Sequence, residues 1–213
     1  KAFEPETSKY VKGIRGELEK MMKGREVPKQ TGFESYKTQS KIFYKSNPET
    51  AKAFENYCGT EYEDINNHLR FGTQIDTSVS DTISKMDEDF KIKLSEDTIT
   101  YRGMTIWQNE KEGITLFNNL KGGKIKSFEE KGFLSTSVLE AKANQFLEIH
   151  SPKPDTDLQI KFIIRIKKDT EVGVGSRNNY SEQEIICKTN SKFVIKNVEQ
   201  IRDNFINVYM EGF

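Results

Sequence analysis

Leu158, Ile160, Phe162, Ile164 and Ile166 alternate with Gln159, Lys161, Arg165 and Lys167, and only Ile163 is out of step. Successive side chains of a strand point to opposite faces, so this period of two predicts a half-buried strand and commits the second half of the chain mainly to strands. The change begins near Thr98, where Ile99-Thr100-Tyr101-Arg102 is β-branched and aromatic and is expected to end at Gly103. Phe193-Val194-Ile195 and Phe205-Ile206-Asn207-Val208-Tyr209 supply two more strands. Gly122-Gly123 and Ser151-Pro152-Lys153-Pro154 read as surface loops, and Val172 to Ser181, rich in Gly and Asn, reads as a mobile one.

The first ninety or so residues are spaced for helices instead. Tyr10, Val11, Ile14, Leu18, Met21 and Met22 recur at three- and four-residue intervals in a charged background, which predicts an amphipathic helix. Pro48 opens a second at a good first-turn position, with Ala51, Phe54 and Tyr57 on one face and Gly59 placed to end it. A third is expected from about Glu61 to Leu69, and Ser80-Asp81 offers a cap for a fourth carrying Ile83 and Met86. The expected architecture is therefore α+β: an N-terminal helical layer (1–95) packed on a mostly antiparallel β-sandwich core (96–213), in one domain.

Composition narrows the partners. Lys+Arg and Asp+Glu both number 33, so the net charge is about zero and no global field exists to hold nucleic acid or an anionic membrane. No apolar run approaches the roughly 18 residues of a membrane span. Lys1 follows neither an initiator Met nor an apolar signal segment, which is read as a trimmed N-terminus. Cys58 and Cys187 are distant in sequence and in apolar company, so two buried free thiols are expected rather than a bridge. With His68 and His150 they show no metal-ligand spacing, and no metal is expected.

Chemistry is concentrated in three short signals. Glu182-Gln183-Glu184 places carboxylates at i and i+2 before the apolar run Ile185-Ile186-Cys187, and in a strand both would project into one site. Like charges held together cost energy, so the pair is either fully wetted or used. Upstream stand Tyr101-Arg102-Gly103 and Gly132-Phe133-Leu134-Ser135-Thr136-Ser137. In isolation each signal is commonly a solvated strand arginine, a strand end and an exposed acidic strand.

In this order, after a helical layer, the three resemble the arginine, Ser-Thr-Ser and Glu-x-Glu motifs of the bacterial mono-ADP-ribosyltransferase toxins. Tyr57-Cys58-Gly59-Thr60-Glu61-Tyr62-Glu63-Asp64-Ile65-Asn66-Asn67-His68-Leu69-Arg70 is similar to the helix signature of the iota-type and Rho-modifying clostridial enzymes, and Ser191-Lys192-Phe193-Val194-Ile195 resembles the strand after the glutamates. The likeness runs from about Ala51 to the C-terminus.

The resemblance implies a single catalytic domain, monomeric, that uses NAD as co-substrate and transfers ADP-ribose to a target protein. It gives Glu184 the grip on the ribose, Ser135 the task of holding the Glu184 carboxylate, and Arg102 the diphosphate. Tyr62 and Asn66 would stand near the phosphates and the backbone of Gly103 against the nicotinamide amide, with Thr136, Ser137 and Phe146 on the same NAD side. A core role for Tyr62 and Phe146, and that of a helix-surface amide for Asn66, remain alternatives. A carboxylate at Glu182 goes with an arginine acceptor, where Gln goes with asparagine of Rho-type GTPases, and the loop Gly173 to Ser181, with Tyr180, would recognise the acceptor. Many relatives carry a second arginine where this chain has Gly103, the loop aromatic at the position of Asn179, and an arginine soon after the phenylalanine, where none occurs here before Arg165.

The implied setting is a secreted toxin or effector acting inside a host cell, with the bacterial or phage-infected cytoplasm as the alternative. An NAD glycohydrolase and an inactive binding module of the same fold are the competing functions.

Overall fold

The computed structural model describes residues 31–150, 156–175 and 183–212. The helix expected around Tyr10 to Met22, the Ser151 to Pro154 loop, and the site residues Tyr180 and Glu182 lie outside the described residues.

Helix α1 (Thr31–Ser46) has no counterpart in the sequence reading. Its buried side is a sparse stripe, Phe33, Tyr36, Ser40 and Tyr44, set in polar residues that hide the period. Helix α2 (Pro48–Asn56) starts on its proline and buries Ala51, Ala53 and Phe54. Gly59 does not end it. The backbone runs on through a π-helical turn, Tyr57–Glu61, into α3 (Tyr62–Phe71), and the stop comes at Gly72, whose φ of 71° is the left-handed conformation a helix end needs. Helix α4 (Thr77–Glu88) is capped by Asp76, which accepts from Val79 N at 2.9 Å, so the cap lies four residues before the expected Ser80.

Among the described residues nine strands follow, with two helices among them that the strand pattern obscured: β1 (Ile92–Lys93), β2 (Thr98–Ile106), α5 (Lys111–Lys121), β3 (Ser127–Glu130), β4 (Leu134–Ser137), α6 (Glu140–Ile149), β5 (Leu158–Ile166), β6 (Glu171–Val174), β7 (Glu184–Cys187), β8 (Ser191–Arg202) and β9 (Phe205–Gly212). Helix α6 fully buries only Ala143 and Leu147, too thin a stripe to register as a period. β2 passes straight through Gly103, because it pairs with β5 from Thr98–Ile166 to Ile106–Leu158 without a break. Val172 and Val174 belong to a buried strand rather than to the mobile loop expected there, since their pairing with β1 and β7 consumes the backbone.

Among the described residues the strands join in the order β1-β6-β7-β4-β2-β5-β9-β8-β3, antiparallel except for β5 with β9. A single residue pair, Tyr101 with Ser137, links β4 to β2. The sheet thus behaves as two leaves, β1-β6-β7-β4 and β2-β5-β9-β8-β3. Ile92, Val172 and Ile185 of the first leaf share one core with Ile160, Ile164 and Val208 of the second, the sandwich packing expected from the alternation. The opposite face of the first leaf is covered by the helices. There Ile186 and Phe133 join Tyr44, Phe54, Tyr57, Ile65, Met86 and Phe90 in a second core.

Candidate active site

The joint between the leaves lines a cleft of about 490 Å³, within the range of small-ligand sites. Its walls come from β2, β4, β7, the π-helical turn, the start of α3 and the exposed side of α6.

Arg102 is the centre of one half. Its Nη1 donates to the Ser135 carbonyl at 2.8 Å and its Nη2 to the Tyr62 hydroxyl at 2.6 Å, with the guanidinium 6.0 Å from the Tyr62 ring centroid. Burial would raise the Tyr62 phenol; the charge and hydrogen bond of Arg102, with Arg70 behind, outweigh it and hold the group below its usual value. Two protein acceptors fix the arginine while a guanidinium has five donors, so the fork is aimed with donors to spare.

Tyr57, fully buried, organises the strand beside it. Its hydroxyl donates to the Phe133 carbonyl at 3.2 Å and accepts from Asn66 Nδ2 at 3.3 Å and from Ser135 Oγ at 3.1 Å. Burial pushes this phenol far above its ordinary range, keeping it neutral and able to donate. Asn66 also accepts from Phe133 N at 2.9 Å; it is buried and spends both ends of its amide on the framework rather than on the cleft. The sequence placed Tyr57 on an apolar helix face and at the start of the helix signature, but gave its hydroxyl no task. A buried tyrosine must satisfy its hydroxyl, and that requirement was the available signal.

Glu184 opens β7, buried, opposite Ser137 of β4 and diagonal to Ser135 on the same face. Its Oε2 accepts from Cys58 Sγ at 3.2 Å, whereas Ser135 gives its hydroxyl to Tyr57. Gly175 closes the other side: a Cβ there would lie 2.8 Å from both Glu184 Oε2 and Glu184 Cβ. Cys58 is half-exposed in the cleft, not buried as expected, because the π-helical turn presents it there; Cys187 is the buried thiol, pushed up to about 12 by burial. Gln183 has φ of 48°, so regular strand geometry stops at Glu184 and the same-face argument does not reach back to Glu182.

The remaining predicted residues divide. Gly103 lines the cleft, and its lack of a side chain admits α6, since a Cβ would lie 2.5 Å from the Ala143 carbonyl and 2.9 Å from Leu147 Cγ. Ser137 accepts from Leu139 N at 3.0 Å at the entry to α6. Thr136 lines the cleft with Ser135 and Ser137, and its hydroxyl is spent on the neighbouring strand, donating to the Ile185 carbonyl at 2.8 Å. Phe146 stands on α6 at the mouth, half exposed, its ring centroid 4.1 Å from that of His150. Lys161 ties α6 to β5 through Glu140 Oε1 at 2.6 Å. Among the described residues no group of three or more His, Cys, Asp or Glu could hold a metal, and no helix is long and apolar enough to cross a membrane.

Residues 9–210 match the family described as ADP-ribosyltransferase exoenzyme. A search of curated proteins returned no match. Among solved structures the chain is similar to Plx2a, an ADP-ribosyltransferase toxin from Paenibacillus larvae, at 19% identity and a TM-score of 0.61 over 85% of this chain and 96% of that one. It is also similar to the ADP-ribosyltransferase Vis of Vibrio splendidus in complex with agmatine, at 22% and 0.59 over 85% and 82%. BECa of a Clostridium perfringens binary enterotoxin, solved with NADH, matches at 19% and 0.59, this chain spanning about half of it (48%). At these identities the structural likeness speaks for the fold.

Proposed function

The chain belongs to the ADP-ribosyltransferase exoenzyme family, and on that premise we propose that it transfers ADP-ribose from NAD to an arginine side chain of a target protein, as a bacterial toxin or effector. The observation that carries the reading is the convergence of Arg102, Ser135 and Glu184, from three strands, on one cleft.

Cleavage of the nicotinamide–ribose bond passes through an oxocarbenium-like state. A preorganised carboxylate stabilises such charge most where water is scarce, and Glu184 is buried at the cleft wall. The C–N bond breaks with its electron pair leaving on nicotinamide. Arg102, fixed by Tyr62 and the Ser135 carbonyl, offers its spare donors to the diphosphate. A guanidine nitrogen of the acceptor then bonds to the anomeric carbon, and Glu182 takes the proton it sheds. Free arginine, with a pKa above roughly 12, is a poor nucleophile, so a carboxylate that orients and deprotonates it is what this acceptor requires. The Vis complex contains agmatine, itself a guanidine, and the BECa structure contains NADH; both agree with the proposed substrates.

The test uses labelled NAD with agmatine as acceptor. Wild-type protein is expected to move label onto agmatine, and Glu182→Gln to lose that transfer while still releasing nicotinamide. Label found only as free ADP-ribose with the wild type would make the protein a glycohydrolase instead.

A further inference from the structure

We propose that Cys58 is a positioning residue for Glu184, an inference that rests on the role given to Glu184 above. The Cys58 thiol donates to Glu184 Oε2 at 3.2 Å. Gly175 makes the space for this arrangement: a Cβ there would stand 2.8 Å from the same oxygen, so only a residue without a side chain lets Oε2 lie where the thiol meets it. Oε2 thus has a thiol donor on it and a glycine beside it.

The hydroxyl expected to hold the carboxylate is engaged elsewhere. Ser135 Oγ donates to Tyr57, and Tyr57 is fixed in turn by Asn66 and the Phe133 carbonyl, so releasing Ser135 would disturb a buried chain of hydrogen bonds. The π-helical turn explains how a helix residue reaches Glu184. Such a turn carries one more residue per turn than an α-helix, and Tyr57 and Cys58 at its start point to Ser135 and to Glu184 respectively. One widened turn thus serves both motif residues.

The consequences follow from the donor. A thiol that hydrogen-bonds the carboxylate favours its charged form, the form needed opposite an oxocarbenium-like ribose. Removing the donor is expected to affect turnover more than NAD binding, because Arg102 and its partners are untouched.

The experiment is steady-state NAD hydrolysis by wild type, Cys58→Ala and Cys58→Ser across pH. For Cys58→Ala the expected kcat is about 5-fold lower, the size of effect an ordinary hydrogen bond carries, since a thiol is a weak donor, with KM for NAD nearly unchanged. The acid limb of its kcat profile should move to higher pH. Cys58→Ser, which restores a donor, should recover both kcat and the acid limb. An active wild type together with a Cys58→Ala enzyme unchanged in kcat and acid limb would overturn the proposal, as would a Cys58→Ser enzyme as impaired as Cys58→Ala. A wild type that releases no nicotinamide would instead overturn the functional reading on which it rests.

Discussion

Nη2 of Arg102 donates to the Tyr62 hydroxyl at 2.6 Å, joining the second strand to the first residue of α3 across the cleft. The arginine is thereby aimed before any ligand arrives. Tyr62→Phe keeps the ring and loses the acceptor, and the expected result is NAD affinity lower by roughly 3- to 10-fold with little change in stability. Arg102→Lys cannot fork between Tyr62 and the Ser135 carbonyl, and should weaken NAD binding by about 100-fold. Calorimetric titration with NAD measures both.

Gly175 lies against Glu184, so Gly175→Ala would press a methyl into the carboxylate and its Cβ. The expected outcome is a loss of nicotinamide release of about 10-fold or more, out of proportion to a destabilisation of about 1–3 kcal/mol. Nicotinamide assays alongside thermal unfolding separate the two.

Arg70 on α3 grips Glu130 on β3 with Nε at 2.8 Å and Nη2 at 3.1 Å, and the same carboxylate accepts from Gly132 N at 2.8 Å. This clasp holds the helical layer to the strand turn that leads into Ser135. Both partners are largely covered, at 27% and 14% exposure, so Arg70→Ala should cost about 2 kcal/mol in urea unfolding, more than a surface pair and less than a fully buried one.

The buried Cys187 thiol is pushed up to about 12 from an ordinary thiol value, so the folded chain keeps a proton that the unfolded chain gives up. Its contribution to stability is whole below the unfolded thiol pKa, near 8.5, and declines as pH rises from there toward 12. Denaturant unfolding between pH 8 and 11 should show this fall, and Cys187→Ala should remove a slope of up to about 1.4 kcal/mol per pH unit.

Much of this was legible in the sequence because it depends on local pattern. The alternation from Leu158 to Ile166 is β5, and the spacing around Pro48 and Phe54 is α2. The order of Arg102, Ser135 and Glu184 pointed to one family, and the fold brings all three to one cleft. What escaped depends on the third dimension. Helix α1 is held by aromatic residues whose partners lie far along the chain, such as Tyr44, which donates to the Val174 carbonyl at 2.7 Å. Gly59 looked like a stop because glycine often is one, yet only a residue adopting positive φ ends a helix this way, and Gly72 does so. The resemblance gave Ser135 the hold on the Glu184 carboxylate; that the Cys58 thiol donates to it while the Ser135 hydroxyl goes to Tyr57 is a matter of tertiary packing that no local pattern carries.

The most direct test of the account is nicotinamide release from NAD by the wild-type chain and by Glu184→Gln, which keeps the shape of the side chain and removes its charge. Turnover is expected of the wild type and a loss of about 100-fold or more of the variant, with the folded state intact by circular dichroism. Full activity in Glu184→Gln would contradict it.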